Sequence, residues 1–221
     1  MIMIPDRTGR FPERPHYNIG ELEADSENLI TDFLMRRYGQ LVIPVPTPAL
    51  VALLERDAQA IDLYCDLTAE GEEIHGLTEF FPGSKPRVSV ARELAFQHWR
   101  EHRLRSTLTH EYGHVHWHAP LYDRYCGHGE RHKCARGSVL PQRGDCDWME
   151  WQAGYVSGVL LMPKSRVELY VTAFRAERAI EGPLDPKSIE GRVLITRTAE
   201  LFNVSEEAAA VRLGQLGHLN F

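Results

Sequence analysis

Several things are scarce or missing in this 221-residue chain. No apolar run approaches 18 residues, and the nearest, Val156–Met162, is too short to span a bilayer as a helix. The opening stretch, MIMIPDRTGRFPERPHYN, lacks a basic segment followed by an apolar one, the pattern of a secretory leader. A soluble, cytoplasmic protein is the expectation. Positive charge is not in excess: the net charge is -6, so neither nucleic acid nor an anionic membrane is an expected partner. There are only four cysteines, Cys65, Cys126, Cys134 and Cys146, too few for a disulfide scaffold at this length. They are read as thiols or metal ligands. Internal repeats and low-complexity tracts are absent, which excludes a solenoid and argues against long disorder. What remains, 43% hydrophobic and 25% charged, suits one domain with a sizeable core, with room for a small appendage.

The chain divides by pattern. Residues 1–19, rich in proline and charge, read as an extended arm. Residues 20–38 show helical periodicity through Leu22, Leu29, Phe33 and Leu34, ending near Gly39. LVIPVP, from Leu41, reads as a short strand broken by prolines, and a helix follows over about 48–60. The next segments read as strand, strand, a turn at Pro82-Gly83-Ser84, and strand. Residues 92–118 read as one long helix. Residues 119–147 lack periodicity, and a loop of that length in a compact domain is usually functional or ordered by something it binds. A helix over about 147–161 stops at Pro163. The tail after Pro186 reads as two helices joined at NVS, with Ser205 as N-cap and Glu206 and Glu207 favourable in the first turn.

The chemistry concentrates in TLTHEYGHVHWHAP, Thr107–Pro120, which holds four of the eleven histidines. His110-Glu111-Tyr112-Gly113-His114 fits H-E-x-x-H. On a helix, residues four apart stack on one face, so both imidazoles can reach one ion. Imidazole nitrogen and carboxylate oxygen both suit zinc. Glu111, beside the first ligand, is placed to act as a general base on an attacking water.

A catalytic zinc site needs a third protein ligand and an open position. His118 lies four residues past His114, but about 12 Å of straight helix separates it from His110. That is too far for both to hold one ion. His116 points to another face. The stronger candidate is Glu150 in DWMEWQAGYVSGVLLMP, where Glu150 and Ala153 make an E-x-x-A step on a second helix. Asp147 is the weaker rival. Ala153 and Gly154 would let that helix approach the first closely.

Together, HEYGH, EWQA and YVSGVLLMP resemble the ImmA/IrrE family of zinc metallopeptidases. GLTEFF…PRVSVA is similar to that family's strand–turn–strand ahead of the zinc helix, and AELFNVSEEAAAVRLGQLG to its C-terminal helical segment. The resemblance covers about residues 25–217. It implies an α+β fold: a small zincin-like peptidase domain over 20–183, with a short mixed sheet and active-site helices. A helix-turn-helix-like segment would follow over 184–221. It implies one catalytic Zn2+ on His110, His114 and Glu150, a gluzincin-like ligand set, with Glu111 as general base. Family members cut helix-turn-helix repressors of mobile elements and stress regulons, so the implied partner is a DNA-binding repressor. The chain departs from the pattern at Gly154 and Val156, and in the long gap between His114 and Glu150. That gap is the 119–147 loop, which should border the cleft and bear on substrate choice.

The loop itself carries Cys126, His128, His132, Cys134 and Cys146, good ligands for a second, structural zinc, although the spacing is not that of a standard finger. Tyr155, His118 and Arg131 are candidates to contact substrate or polarise a scissile carbonyl, and His118 is alternatively a group that supports a metal ligand. Strand PRVSVA is a candidate edge along which an extended peptide pairs, and Glu79 a structural or cleft-rim residue. From Lys187 onward four basic residues meet four acidic ones, a poor footprint for DNA phosphates, so the last two helices are read as packing or partner surfaces. The expected activity is a zinc endopeptidase making limited cuts in a protein. The rival is a non-proteolytic, antitoxin-like regulator that binds a partner through the same groove.

Overall fold

A computed structural model describes residues 2–71, 73–96, 100–127, 131–136 and 147–220. The first helix, α1 (Ile19–Tyr38), starts where its sequence gives it a cap. Asn18 accepts from the Glu21 amide, and the Glu21 carboxylate accepts in return from the Asn18 amide. It stops at Gly39, whose φ of 71° any residue with a Cβ would resist. Leu22, Ile30 and Leu34 are fully buried along one stripe. Helix α2 (Thr47–Asp57) follows with Pro48 in its first turn, where a missing N–H costs nothing. It buries Leu50, Leu53 and Leu54. The segment 41–46, expected to be a strand, is not one. Its prolines cannot donate to a ladder.

The arm at the start is a hairpin rather than an extended tail. Strands β1 (Ile2–Pro5) and β2 (Glu13–His16) pair antiparallel. Asp6 holds the turn by accepting from the Thr8 and Phe11 amides. Phe11 is thereby buried against Tyr122 and Trp148.

The main sheet contains β3 (Ala60–Cys65), β4 (Gly76–Phe81), β5 (Ser84–Ala91) and β6 (His132–Arg136), in the order β3-β5-β4-β6. It is mixed: β3 runs parallel to β5, while β4 is antiparallel to both β5 and β6. So β5, the strand expected at an edge, is central. Pro86, Val88 and Val90 are buried and alternate with exposed Arg87 and half-buried Ser89, so one face of the strand lies on the core. The edge position beside β4 is filled by β6, which comes from the loop read as irregular.

The segment expected as one long helix is broken. Short α3 (Arg92–Phe96) precedes α4 (Glu101–Gly113), which passes through a wide π turn at His114–His118 into α5 (Ala119–Tyr125). In that turn the Ala119 amide bonds to the His114 carbonyl. Pro120 occupies the first turn of this new helix, where its missing N–H costs nothing. Helix α6 (Trp148–Leu161) is nearly all buried, and α7 (Lys164–Arg178) follows Pro163. The last pair, α8 (Ile189–Phe202) and α9 (Glu206–Gln215), is joined through Asn203 at φ 52°, and α9 is capped by Ser205.

The fold is therefore mixed α and β with a small sheet. Leu194, Phe202, Ala209 and Leu213 join the same core as α1, α4 and α6, so the C-terminal pair is not a detached unit. Two buried arginines fasten it. Arg105 on α4 donates to the carbonyls of Val45, Phe202 and Asn203. Arg212 on α9 donates to Met162 O at 3.1 Å and pairs with Glu23 on α1. No helix among the described residues is long and apolar enough to cross a membrane.

Candidate metal centre

Helix α4 presents His110, Glu111 and His114 inward. All three are buried, with Glu111 wholly enclosed and His114 only 1% exposed. Helix α6 brings Glu150 to them because the two helices touch with almost no side chain between. A Cβ on Gly113 would lie 2.9 Å from the Ala153 Cα. The close approach expected from Ala153 and Gly154 thus comes from Ala153 against Gly113. Around Gly154 a Cβ would meet nothing within 4 Å. Thr109 and Ser157 hydroxyls, 2.7 Å apart, fasten the same pair of helices.

Ligand atoms of His110, His114 and Glu150 converge. The two Nε2 atoms are 3.2 Å apart. His110 Nε2 lies 3.0 Å from Glu150 Oε2, and His114 Nε2 lies 3.2 Å from Glu150 Oε1. Donors about 2.0–2.2 Å from a tetrahedral zinc sit about 3.3–3.6 Å apart, so this spacing suits one small cation. Among the described residues it is the one such group of three or more. The electrostatics agree. Burial works against an ionised Glu150, yet the two imidazoles hold its pKa well below the usual carboxylate range. Burial also opposes charge on His114, but Cys134 and Glu150 push its pKa up. The pocket favours positive charge at this point.

His118 defines the tautomer of His114. It is completely buried, and burial together with His114 keeps it neutral, with its pKa well below normal. Its Nε2–H donates to Gln152 Oε1 at 3.1 Å, which leaves Nδ1 as an acceptor. The His114 Nδ1, 2.9 Å away, must then carry the proton. In the neutral form that a metal ion would bind, His114 is left with its Nε2 lone pair directed at the ligand group. Such a partner orients a ligating imidazole and raises its basicity. The π turn at 114–118 is what brings His118 under His114, and interruptions of this kind recur at functional sites.

Glu111 is held from the sheet. Thr78 on β4 donates to its Oε2 at 2.7 Å. Gly76, two residues earlier, lets the strand press against the helix: a Cβ there would lie 2.3 Å from Glu111 Oε1. Sequence reasoning missed Thr78, Gln152 and Gly76. A glycine within a strand does signal close backbone approach, and that signal was present in IHGLTEFF.

The remaining candidates lie as follows. His118 faces His114 and Gln152 and is shut away from any substrate. Tyr155 donates to Glu23 Oε2 at 2.7 Å and stacks on Trp151, and burial pushes its pKa up to about 12. It belongs to the Arg212–Glu23 cluster, not to the metal group. Arg131 is exposed and pairs with Glu79, which lies on the face of β4 opposite Thr78. Asp147, the rival ligand, caps α6 by accepting from the Met149 amide and pairs with Arg10. His116 is exposed and stacks on Tyr112.

Of the loop residues proposed for a second ion, His128 and Cys146 lie outside the described residues. Cys126, His132 and Cys134 do not gather into a ligand group. Cys126 ends α5, and His132 packs on the Tyr122 ring. Cys134 is buried opposite Thr78, with its sulfur 3.9 Å from the Tyr122 hydroxyl. No family model matches the chain, and no curated protein is significantly similar to it.

Proposed function

We propose that the protein is a zinc-dependent endopeptidase with a zincin-like domain, making limited cuts in a protein substrate. The observation that carries this reading is the convergence of two imidazole nitrogens and a carboxylate beside a buried second carboxylate, Glu111. When bound, the ion supplies Lewis acidity toward a scissile carbonyl and an attacking water. His110, His114 and Glu150 would hold it, and the His118–Gln152 relay would keep His114 in the ligating tautomer. Glu111 would take the proton from water and return it to the departing amine. Thr78 fixes one oxygen of that carboxylate, so its orientation does not depend on substrate. The resemblance to ImmA/IrrE peptidases nominates a helix-turn-helix repressor of a mobile element or stress regulon as substrate. The balanced charge of α8 and α9 supports packing rather than DNA contact, despite their helix-turn-helix-like order.

A second reading, a non-proteolytic regulator with a structural zinc, draws on one observation: the two histidine ligands are almost shut from solvent, although the Glu150 side chain keeps 24% exposure. Glu111→Gln separates the two. On the first reading it keeps zinc and lowers cleavage of a repressor encoded beside its gene by about 10²–10⁴-fold, the usual effect of losing a general base. Full biological activity in that variant would favour the regulator.

A further inference from the structure

The loop between α5 and α6 returns to the sheet as β6, and it pairs with the strand that carries Thr78. The register sets His132 opposite Phe80, Lys133 opposite Glu79 and Cys134 opposite Thr78. Side chains directly opposite in an antiparallel pair share a face. Thr78 turns toward α4 and holds Glu111, so Cys134 turns to α4 as well. It is 7% exposed and lies 3.9 Å from the Tyr122 hydroxyl. The track along β4, past the strand residue that holds Glu111, is therefore taken by five residues of the chain's own loop. An extended peptide that added itself to β4 would use the same main-chain groups. Its residue opposite Thr78 would stand where Cys134 stands.

The strand is held lightly on its outer face. Lys133 pairs with Glu70 at the surface, and Arg131 with Glu79. Exposed pairs of this kind contribute little, and short edge strands are among the first elements to open. We propose that β6 is a built-in occupant of the substrate track: the centre is latent while His132–Arg136 pairs with β4, and admits a peptide when that strand is displaced. This rests on the peptidase reading. It also accounts for the seclusion that otherwise speaks for a regulator.

The test locks the strand. Opposed residues in an antiparallel pair have Cα atoms about 4.5–5.5 Å apart, within disulfide range. Glu79→Cys and Lys133→Cys are introduced into a full-length chain whose four native cysteines are serine. The zinc-loaded protein is titrated with a tripeptide hydroxamate, a zinc-binding peptide probe that needs no turnover. Expected is at least tenfold weaker binding when the disulfide is closed, recovered on reduction. As a second variant, Cys134→Gly in the otherwise native chain loosens β6 and is expected to bind the probe more tightly than the unaltered protein. Equal affinity in the locked and reduced states, or no gain in Cys134→Gly, would overturn the proposal and make β6 a permanent sheet edge. If the reduced protein holds no zinc at all, the peptidase reading itself fails, and this inference with it.

Discussion

His118 behaves differently from the other histidines around it. His110 and His114 stand four apart on one helical face, and that much is visible in the spelling of the motif. Glu150 is also legible, from its position in E-x-x-A on an apolar helix. For His118 the sequence leaves two options, support of a ligand or contact with substrate, because its position depends on a π turn that no residue pattern announces. Its role as a support for His114 gives a prediction. His118→Ala should weaken zinc binding by about 10–100-fold, the usual effect of losing such a partner. Competition with a chromophoric chelator measures this, and unchanged affinity would show that the relay to Gln152 does not matter. Gly76 and Thr78 are illegible for another reason. What they do is set by how close β4 comes to α4, a distance that sequence spacing does not encode. Gly76→Ala, whose Cβ would meet Glu111, should lower the melting temperature and impair cleavage together.

Elements with strong local signals were foreseeable: α1 from its capping box, α6 from its apolar run between Asp147 and Pro163, and α9 from Ser205. Strands β3, β4 and β5 were foreseeable too, but their order was not. A strand's neighbours are chosen by long-range pairing, so β5 appeared as a possible edge and β6 did not appear at all. The joins between elements were equally hidden. Arg212 on α9 reaches Glu23 on α1, and Tyr155 on α6 donates to the same carboxylate. Burial opposes ionised Glu23, but Arg212 and Tyr155 together hold its pKa below the usual range. A depressed folded pKa contributes stability that is present above the unfolded value, about 4.3, and is lost as pH falls through the folded one. Glu23→Gln should therefore cost about 3–5 kcal/mol near neutral pH, because Arg212 is left buried and unpaired. The deficit relative to the unaltered protein should shrink as pH drops below about 4. Urea unfolding at several pH values checks both statements, and a deficit independent of pH would contradict them.

For the molecule as a whole, composition pointed to a sizeable core, and among the described residues a large buried cluster reaches from α1 to α9, beside two smaller ones. The boundary drawn near residue 184 was a boundary in pattern, where helical periodicity resumes after a proline-containing stretch. It does not divide the packing. Phe202 from α8 is fully buried in the cluster that also contains Leu108 and Tyr112 of α4. Phe202→Ala should cost about 3–5 kcal/mol. Unfolding followed by fluorescence and by loss of zinc should remain a single coincident transition. Separate transitions would mean that the last two helices fold on their own.

The centre on which all of this depends can be tested without knowing any substrate. Zinc is counted by mass spectrometry in the purified protein and in a His110→Ala, Glu150→Ala double variant that remains folded by circular dichroism. The account predicts that the unaltered chain carries zinc and that the double variant has lost one equivalent per chain. Equal zinc in both, or none in the unaltered chain after exposure to the metal, would contradict it.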